Sequence, residues 1–168
     1  MHSLYLVSVW LHLMAAVIWI GGTIFLALVL IPAIRRPAFS SVALELILST
    51  VLRFRTVGWI CFAIFIVTGA ANLFFRGLTW SDLFNPSFWR GSFGAILAVK
   101  LAIVTVILAV SAVHDFVIGP RATDAWQQNP NSQTTARLRQ QAVQIARLNL
   151  LLALIAVALG TMLVRGAP

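Results

Sequence analysis

His12, Trp19, Cys61, Lys100 and His114 are the side chains of this chain whose types could carry chemistry, and each lies in or beside an apolar run. Lys100 is the only lysine, set in Gly94-Ala-Ile-Leu-Ala-Val-Lys100-Leu-Ala-Ile-Val. A cation at membrane depth costs roughly 2.5–3.5 kcal/mol on insertion scales. Such a lysine is paired, reaches its charge toward the headgroups, or serves a function. An imidazole in the same setting is a metal or haem ligand, or a hydrogen-bonding partner for a neighbouring helix. Haem needs one axial histidine, a planar apolar slot and aromatic walls. His12, Trp19 and the small residues Ala15, Gly21 and Gly22 could supply that set.

Copper asks for more. A Cu(I) site wants several soft Cys or Met ligands. The candidates here are His12, Met14 and Cys61, with no Met-x-x-x-Met or Cys-x-x-Cys ladder. There is also no phosphate loop, dinucleotide fingerprint or metalloprotease helix. No Asp or Glu lies within the central part of an apolar run, which disfavours a carboxylate proton relay. His114–Asp115 reads as an interfacial pair, and Arg53 and Arg55 read as topology determinants or lipid-headgroup contacts.

The elements that must position these residues are four spans. The chain is 61% hydrophobic and 10% charged, which excludes an ordinary soluble domain. Its formal charge of +8 comes mainly from arginines flanking apolar runs, the distribution of a membrane protein rather than of a nucleic-acid binder. Stretches of about 20 apolar residues cross a bilayer, and four qualify, at about 4–34, 57–75, 93–118 and 148–164. The expectation is an all-α integral membrane protein, a four-transmembrane-helix bundle forming one domain over 1–168, with no tandem repeat. The first apolar stretch reads as a retained helix rather than a signal peptide.

Arginines concentrate in the first and third loops, with Arg35, Arg36, Arg53 and Arg55 in one and Arg121, Arg137 and Arg139 in the other. The positive-inside rule then puts those loops in the cytoplasm and both termini outside, in the periplasm of a diderm host. An amphipathic helix over 37–50 could lie at the cytoplasmic interface between the first two spans. Asn129-Pro-Asn-Ser132 is a turn signal, and Ser132 or Thr134 could cap a helix leading into the fourth span. Trp80 and Trp89 suit an outer aromatic belt.

Each span offers one polar or small stripe to a common interior. These are His12/Ala16/Trp19/Thr23, Cys61/Phe65/Thr68/Asn72, Lys100/Ser111/His114 and Asn149/Ala153/Ala156/Gly160. At 1.5 Å per residue, His12 and Lys100 both lie roughly 10–12 Å below the outer end of their spans. His114 is about 21 Å deeper than Lys100. Matched depth favours a site shared by His12 and Lys100 and disfavours one shared by His12 and His114.

These residues resemble a known group. His12-Leu-Met-Ala-Ala-Val-Ile-Trp19-Ile-Gly21-Gly22 resembles the His-x6-Trp-x-x-Gly motif shared by the CopD copper-resistance membrane domain and the HemJ-type protoporphyrinogen oxidases. Arg53-Phe-Arg55 with Thr68-Gly69 is similar to the second CopD helix, and Gly94-Ala-Ile-Leu97-Ala-Val-Lys100-Leu101 to its Gly-x-x-Leu-x-x-Lys-Leu pattern. The resemblance implies a four-helix membrane bundle. In HemJ-type proteins the first-helix histidine ligates haem b and the third-helix lysine is required for function. Carried over, those roles fall on His12 and Lys100. The Thr-Gly pair and Gly94 lean toward CopD.

The leading expectation is a haem-b-binding protein of the bacterial inner membrane with a redox role, either electron transfer or porphyrinogen oxidation. His12 would be the axial metal ligand and Trp19 would line the slot. Lys100 would be a catalytic residue, as a second ligand or a cation near the propionates. The alternatives are a copper uptake or copper tolerance protein, with copper as the bound metal, and a small structural subunit of a respiratory membrane complex. The partners expected are the lipid bilayer, an electron acceptor, and a homo-oligomer or larger membrane complex, with no nucleic acid.

Overall fold

A computed structural model describes residues 2–34, 36–39 and 41–165. Arg35, counted above among the loop arginines, lies outside the described residues. Among the described residues there is no strand. Four helices are long and apolar enough to cross a membrane: α1 (His2–Ile34), α2 (Ala43–Phe75), α3 (Ser92–Gln128) and α4 (Gln133–Arg165). The all-helical, four-span expectation holds.

The chain divides into two compact units, Met1–Trp80 and Ser81–Pro168. Each is an antiparallel helical hairpin. In the first, contacts run from Tyr5–Phe75 through His12–Phe65 to Trp19–Phe62, so α1 and α2 pass in opposite directions. In the second, Ser111 meets Asn149 and Lys100 meets Gly160, giving the same antiparallel sense to α3 and α4.

The solvent preference is reversed relative to a soluble protein. Large apolar side chains such as Leu4, Trp10, Val17, Leu28, Val67 and Val164 are exposed. Ser8, Thr68, Ser111, Thr135 and Asn149 are buried. Lipid solvates the first group as well as protein does, whereas the second group must find partners between helices.

Proline shapes the later parts of α1 and α3. A proline has no N–H, and its ring meets the carbonyl four residues back. Both helices widen to a π turn just ahead of one. Leu26–Leu30 is π-helical, with Ile31 N–H bonded to Leu26 O, and Pro32 follows. His114–Ile118 is π-helical, with Gly119 N–H bonded to His114 O, and Pro120 follows. The two hairpins therefore carry the same punctuation, a repetition that the apolar sequence hides.

The segment over 37–50 differs from expectation. It is not a separate interfacial helix. Pro37–Phe39 is a single 3-10 turn, and residues from Ala43 onward belong to one helix continuing to Phe75. No proline interrupts 43–75, and Arg53 and Arg55 ride on the helix instead of ending it. The fourth span likewise starts at Gln133, ahead of its apolar part. Ser132 is its cap, because Thr135 N–H donates to Ser132 Oγ at 3.0 Å. Thr135 is fully buried and its hydroxyl reaches both Ala125 O and Asn129 O, at 2.9 and 2.8 Å, which ties the turn together.

Glycine closes α2. Gly77 takes φ +87 and donates to Phe74 O, while Leu78 N–H bonds to Leu73 O. That is the Schellman arrangement, in which a residue without Cβ adopts the left-handed turn. Two short helices, Trp80–Phe84 and Pro86–Arg90, follow before α3. Asn85 caps the second by accepting from Ser87 N–H, with Pro86 in the first turn. Trp89 donates its indole N–H to Leu83 O at 2.9 Å, and Trp80 stays exposed.

Candidate functional site

Within the first hairpin, α1 turns Ser8, His12, Ala15 and Trp19 toward α2 at the spacing of one helical face. Ser8 donates to Thr68 O at 3.4 Å. His12 Nδ1 lies 2.7 Å from Thr68 Oγ1. The imidazole packs edge-on against Phe65, with centroids 5.1 Å apart. A Cβ placed on Gly69 would stand 3.7 Å from His12 Cε1, so the ring lies along the backbone of α2 at that point.

The hydrogen-bond roles follow from proton counting. A threonine hydroxyl has one proton. Thr68 donates it to Ile64 O, one turn back on its own helix. With that proton on Ile64 O, the same oxygen is an acceptor for His12 Nδ1–H, and the tautomer that matches carries its proton on Nδ1. In its neutral form His12 is therefore protonated on Nδ1 and carries its lone pair on Nε2. Metal-ligating histidines have this arrangement, the distal ring N–H being held by an oxygen that fixes tautomer and ring orientation.

Trp19 sits further along the same face. It meets Phe62 edge-on with centroids 4.9 Å apart, and its indole lies 3.4–3.5 Å from where a Cβ on Gly58 would stand. Trp19 thus packs the α1–α2 seam. Cys61 is buried in that seam. It precedes Thr68 by two turns of α2, about 10 Å along the helix axis, so the thiol and the imidazole stand at different levels. Met14 is two residues from His12 and points to another side of α1. Among the described residues no group of three or more His, Cys, Asp or Glu could hold a metal ion. One oriented imidazole suits a group needing a single protein ligand.

The second hairpin holds Lys100, half-buried on α3, with its Nζ against Gly160 of α4. A Cβ on that glycine would be 3.1 Å from Nζ. Further along the same seam Asn149 Nδ2 donates to Ser111 Oγ at 2.7 Å. His114 and Asp115 pair at 2.9 Å where the π turn begins. His12 and Trp19 thus share one helix pair, and Lys100 belongs to the other. Arg53 lines an open groove on the first half of α2 with Ser49, Thr50 and Phe54.

Two residues gain weight that sequence reasoning did not give them. Thr68 was visible as a polar member of the α2 stripe, and its link to His12 appears only with the helix register. Gly160 was visible as a small residue, and its contact with Lys100 appears only in the packed hairpin.

Residues 48–163 match the family model of copper resistance protein D. The chain belongs to that family. Comparison with curated proteins and with solved structures gave no match. The copper resistance protein D match covers α2 from residue 48 on, α3 and all but the last residues of α4, so it includes Thr68, Lys100 and Gly160. His12, on α1, lies ahead of it. Family membership and the four apolar helices make this a multi-pass membrane protein, consistent with an inner-membrane location.

Proposed function

We propose that this member of the copper resistance protein D family is a membrane redox protein whose resident group is a haem b, held through His12 Nε2. The observation supporting the reading is the chain His12 Nδ1–H to Thr68 Oγ1 to Ile64 O, which orients the imidazole and matches the tautomer of a histidine that ligates through Nε2. A haem b supplies one-electron transfer when bound. The chain supplies the rest. Thr68 holds the ring in one tautomer, Phe65 fixes its tilt, and Trp19 closes the seam one and a half to two turns deeper. In the second hairpin, Lys100 is a cation within an apolar span, suited to an anionic group. The positive-inside rule puts both termini outside, so His12 and Lys100 lie in the outer half of their spans.

The decisive experiment is an absorption spectrum of protein purified from native membranes, beside a His12→Ala variant. A Soret band that is lost or shifted in the variant is the expected result. No Soret band in the wild type, even after haem reconstitution, removes the proposal. Porphyrinogen oxidation is the enzymatic version, tested by complementing a strain that lacks this activity. Failure with well-expressed protein eliminates it.

A second reading, copper uptake or tolerance without haem, is favoured by the family match. His12 would then pass copper as cargo rather than hold it. Bound copper without a Soret band, together with altered copper accumulation in a deletion strain, would select this reading over the first.

A further inference from the structure

We propose that Gly160 is a positioning residue for Lys100, a notch in α4 that sets where the ammonium sits. Three observations lead there. First, the two hairpins correspond feature by feature. His12 precedes the π turn Leu26–Leu30 and Pro32 by the same separations as Lys100 precedes the π turn His114–Ile118 and Pro120. Lys100 is thus the second hairpin's counterpart of His12. Second, each of these basic side chains lies against a glycine of its partner helix. His12 Cε1 faces Gly69 and Lys100 Nζ faces Gly160. Third, the two contacts differ in tightness. A methyl on Gly69 would meet His12 at 3.7 Å, an ordinary van der Waals distance. A methyl on Gly160 would stand 3.1 Å from Nζ and 3.9 Å from Cε.

The third point separates positioning from folding. The atom a new methyl would crowd is the far end of a flexible four-carbon stem. Lys100 can yield by rotating its terminal bonds while the helices stay in register. Gly160→Ala therefore moves the charge without breaking the hairpin. A bare backbone at this point also lets an ammonium approach a helix closely, and strongly hydrated cations at membrane depth need such polar neighbours. That Lys100 matters to function rests on the redox reading above; that Gly160 sets its position does not.

Because Lys100 is the only lysine of this chain, selective 13C-lysine labelling gives it a single Cε resonance in detergent. Gly160→Ala and Gly160→Ser should both shift that resonance, while thermal unfolding remains close to wild type. Gly69→Ala should leave it in place. An unshifted resonance in both Gly160 variants, or an equal shift in Gly69→Ala, overturns the proposal. The functional arm uses the reduction potential of the bound group and copper tolerance of a complemented deletion strain. Gly160→Ala should change these in the direction of Lys100→Met, and should add nothing in the Lys100→Met background. An effect of Gly160→Ala that persists in full without Lys100 overturns positioning through that residue. A shifted resonance with wild-type function in both Gly160→Ala and Lys100→Met upholds the notch and instead removes Lys100 from the redox reading.

Discussion

Thr68→Val tests the reasoning at its most local point. Valine keeps the shape of threonine and deletes the hydroxyl. Two hydrogen bonds go with it, from His12 Nδ1 and to Ile64 O. The second is a back-bond within a helix, whose loss costs little because Ile64 O keeps its own helical partner. The first leaves an imidazole N–H facing a methyl group. An unsatisfied buried donor costs about 1–3 kcal/mol, and His12 is only half-buried, so the lower part of that range applies. Removing the oxygen that orients a metal-ligating histidine typically lowers affinity about 10–100-fold. That is about 1.4–2.8 kcal/mol at 1.4 kcal/mol per tenfold. Thr68→Val should therefore lose thermal stability in detergent modestly and lose affinity for the bound group by one to two orders of magnitude on that scale. Thr68→Ser, which keeps the hydroxyl, should recover most of both. Histidine 15N NMR of the wild type, assigned with His12→Ala, should show Nδ1 protonated and Nε2 as the lone-pair nitrogen. Protonation at Nε2, or a Thr68→Val protein with wild-type stability and affinity, would refute the hydrogen-bond assignment.

Neighbouring glycines give a contrasting pair. A Cβ on Gly22 would overlap the Phe54 ring, whereas Gly21 has nothing within 4 Å. Gly22→Ala should destabilise by about 1–3 kcal/mol, and Gly21→Ala should be neutral or gain up to about 1 kcal/mol from helix propensity, both read from thermal unfolding in detergent. Asn149 and Ser111 should couple in a double-mutant cycle by about 0.6 kcal/mol, with about 1.7 kcal/mol as the ceiling for such pairs in membranes; zero coupling would mean that the bond contributes nothing. Thr135→Val should cost about 1–3 kcal/mol and raise hydrogen exchange in the 129–135 turn it ties down. Gly94→Ala should be the most damaging single methyl, since its Cβ would overlap the Phe88 carbonyl, a backbone atom that cannot swing aside; wild-type expression and unfolding temperature would contradict that.

Much of the fold was legible because lipid imposes a simple rule. Long apolar stretches had to be helices, and Asn129-Pro-Asn-Ser132 marked a turn and a helix start through its own side-chain chemistry. Residues 43–56 extend the second helix against expectation for a physical reason. Their arginines and polar residues suggested a boundary, but charge alone does not end a helix, and nothing in 43–75 removes a backbone hydrogen bond. The correspondence between hairpins is hidden in the sequence because residues facing lipid are interchangeable among Leu, Ile, Val and Ala. What persists is the punctuation at Pro32 and Pro120 and the basic residues at His12 and Lys100.

The sequence by itself determined the number of crossing helices, the reversed solvent preference, and which residues were costly enough in lipid to need a reason, above all His12 and Lys100. Those are properties of single residues and of period, and period is written along the chain. Only the tertiary structure decided which costly residue met which neighbour. His12 faces Thr68 and Gly69, Lys100 faces Gly160, and Asn149 faces Ser111. Those pairings depend on the sliding and rotation of one helix against another. Many small contacts between neighbouring side chains set that register together, and no single residue encodes it.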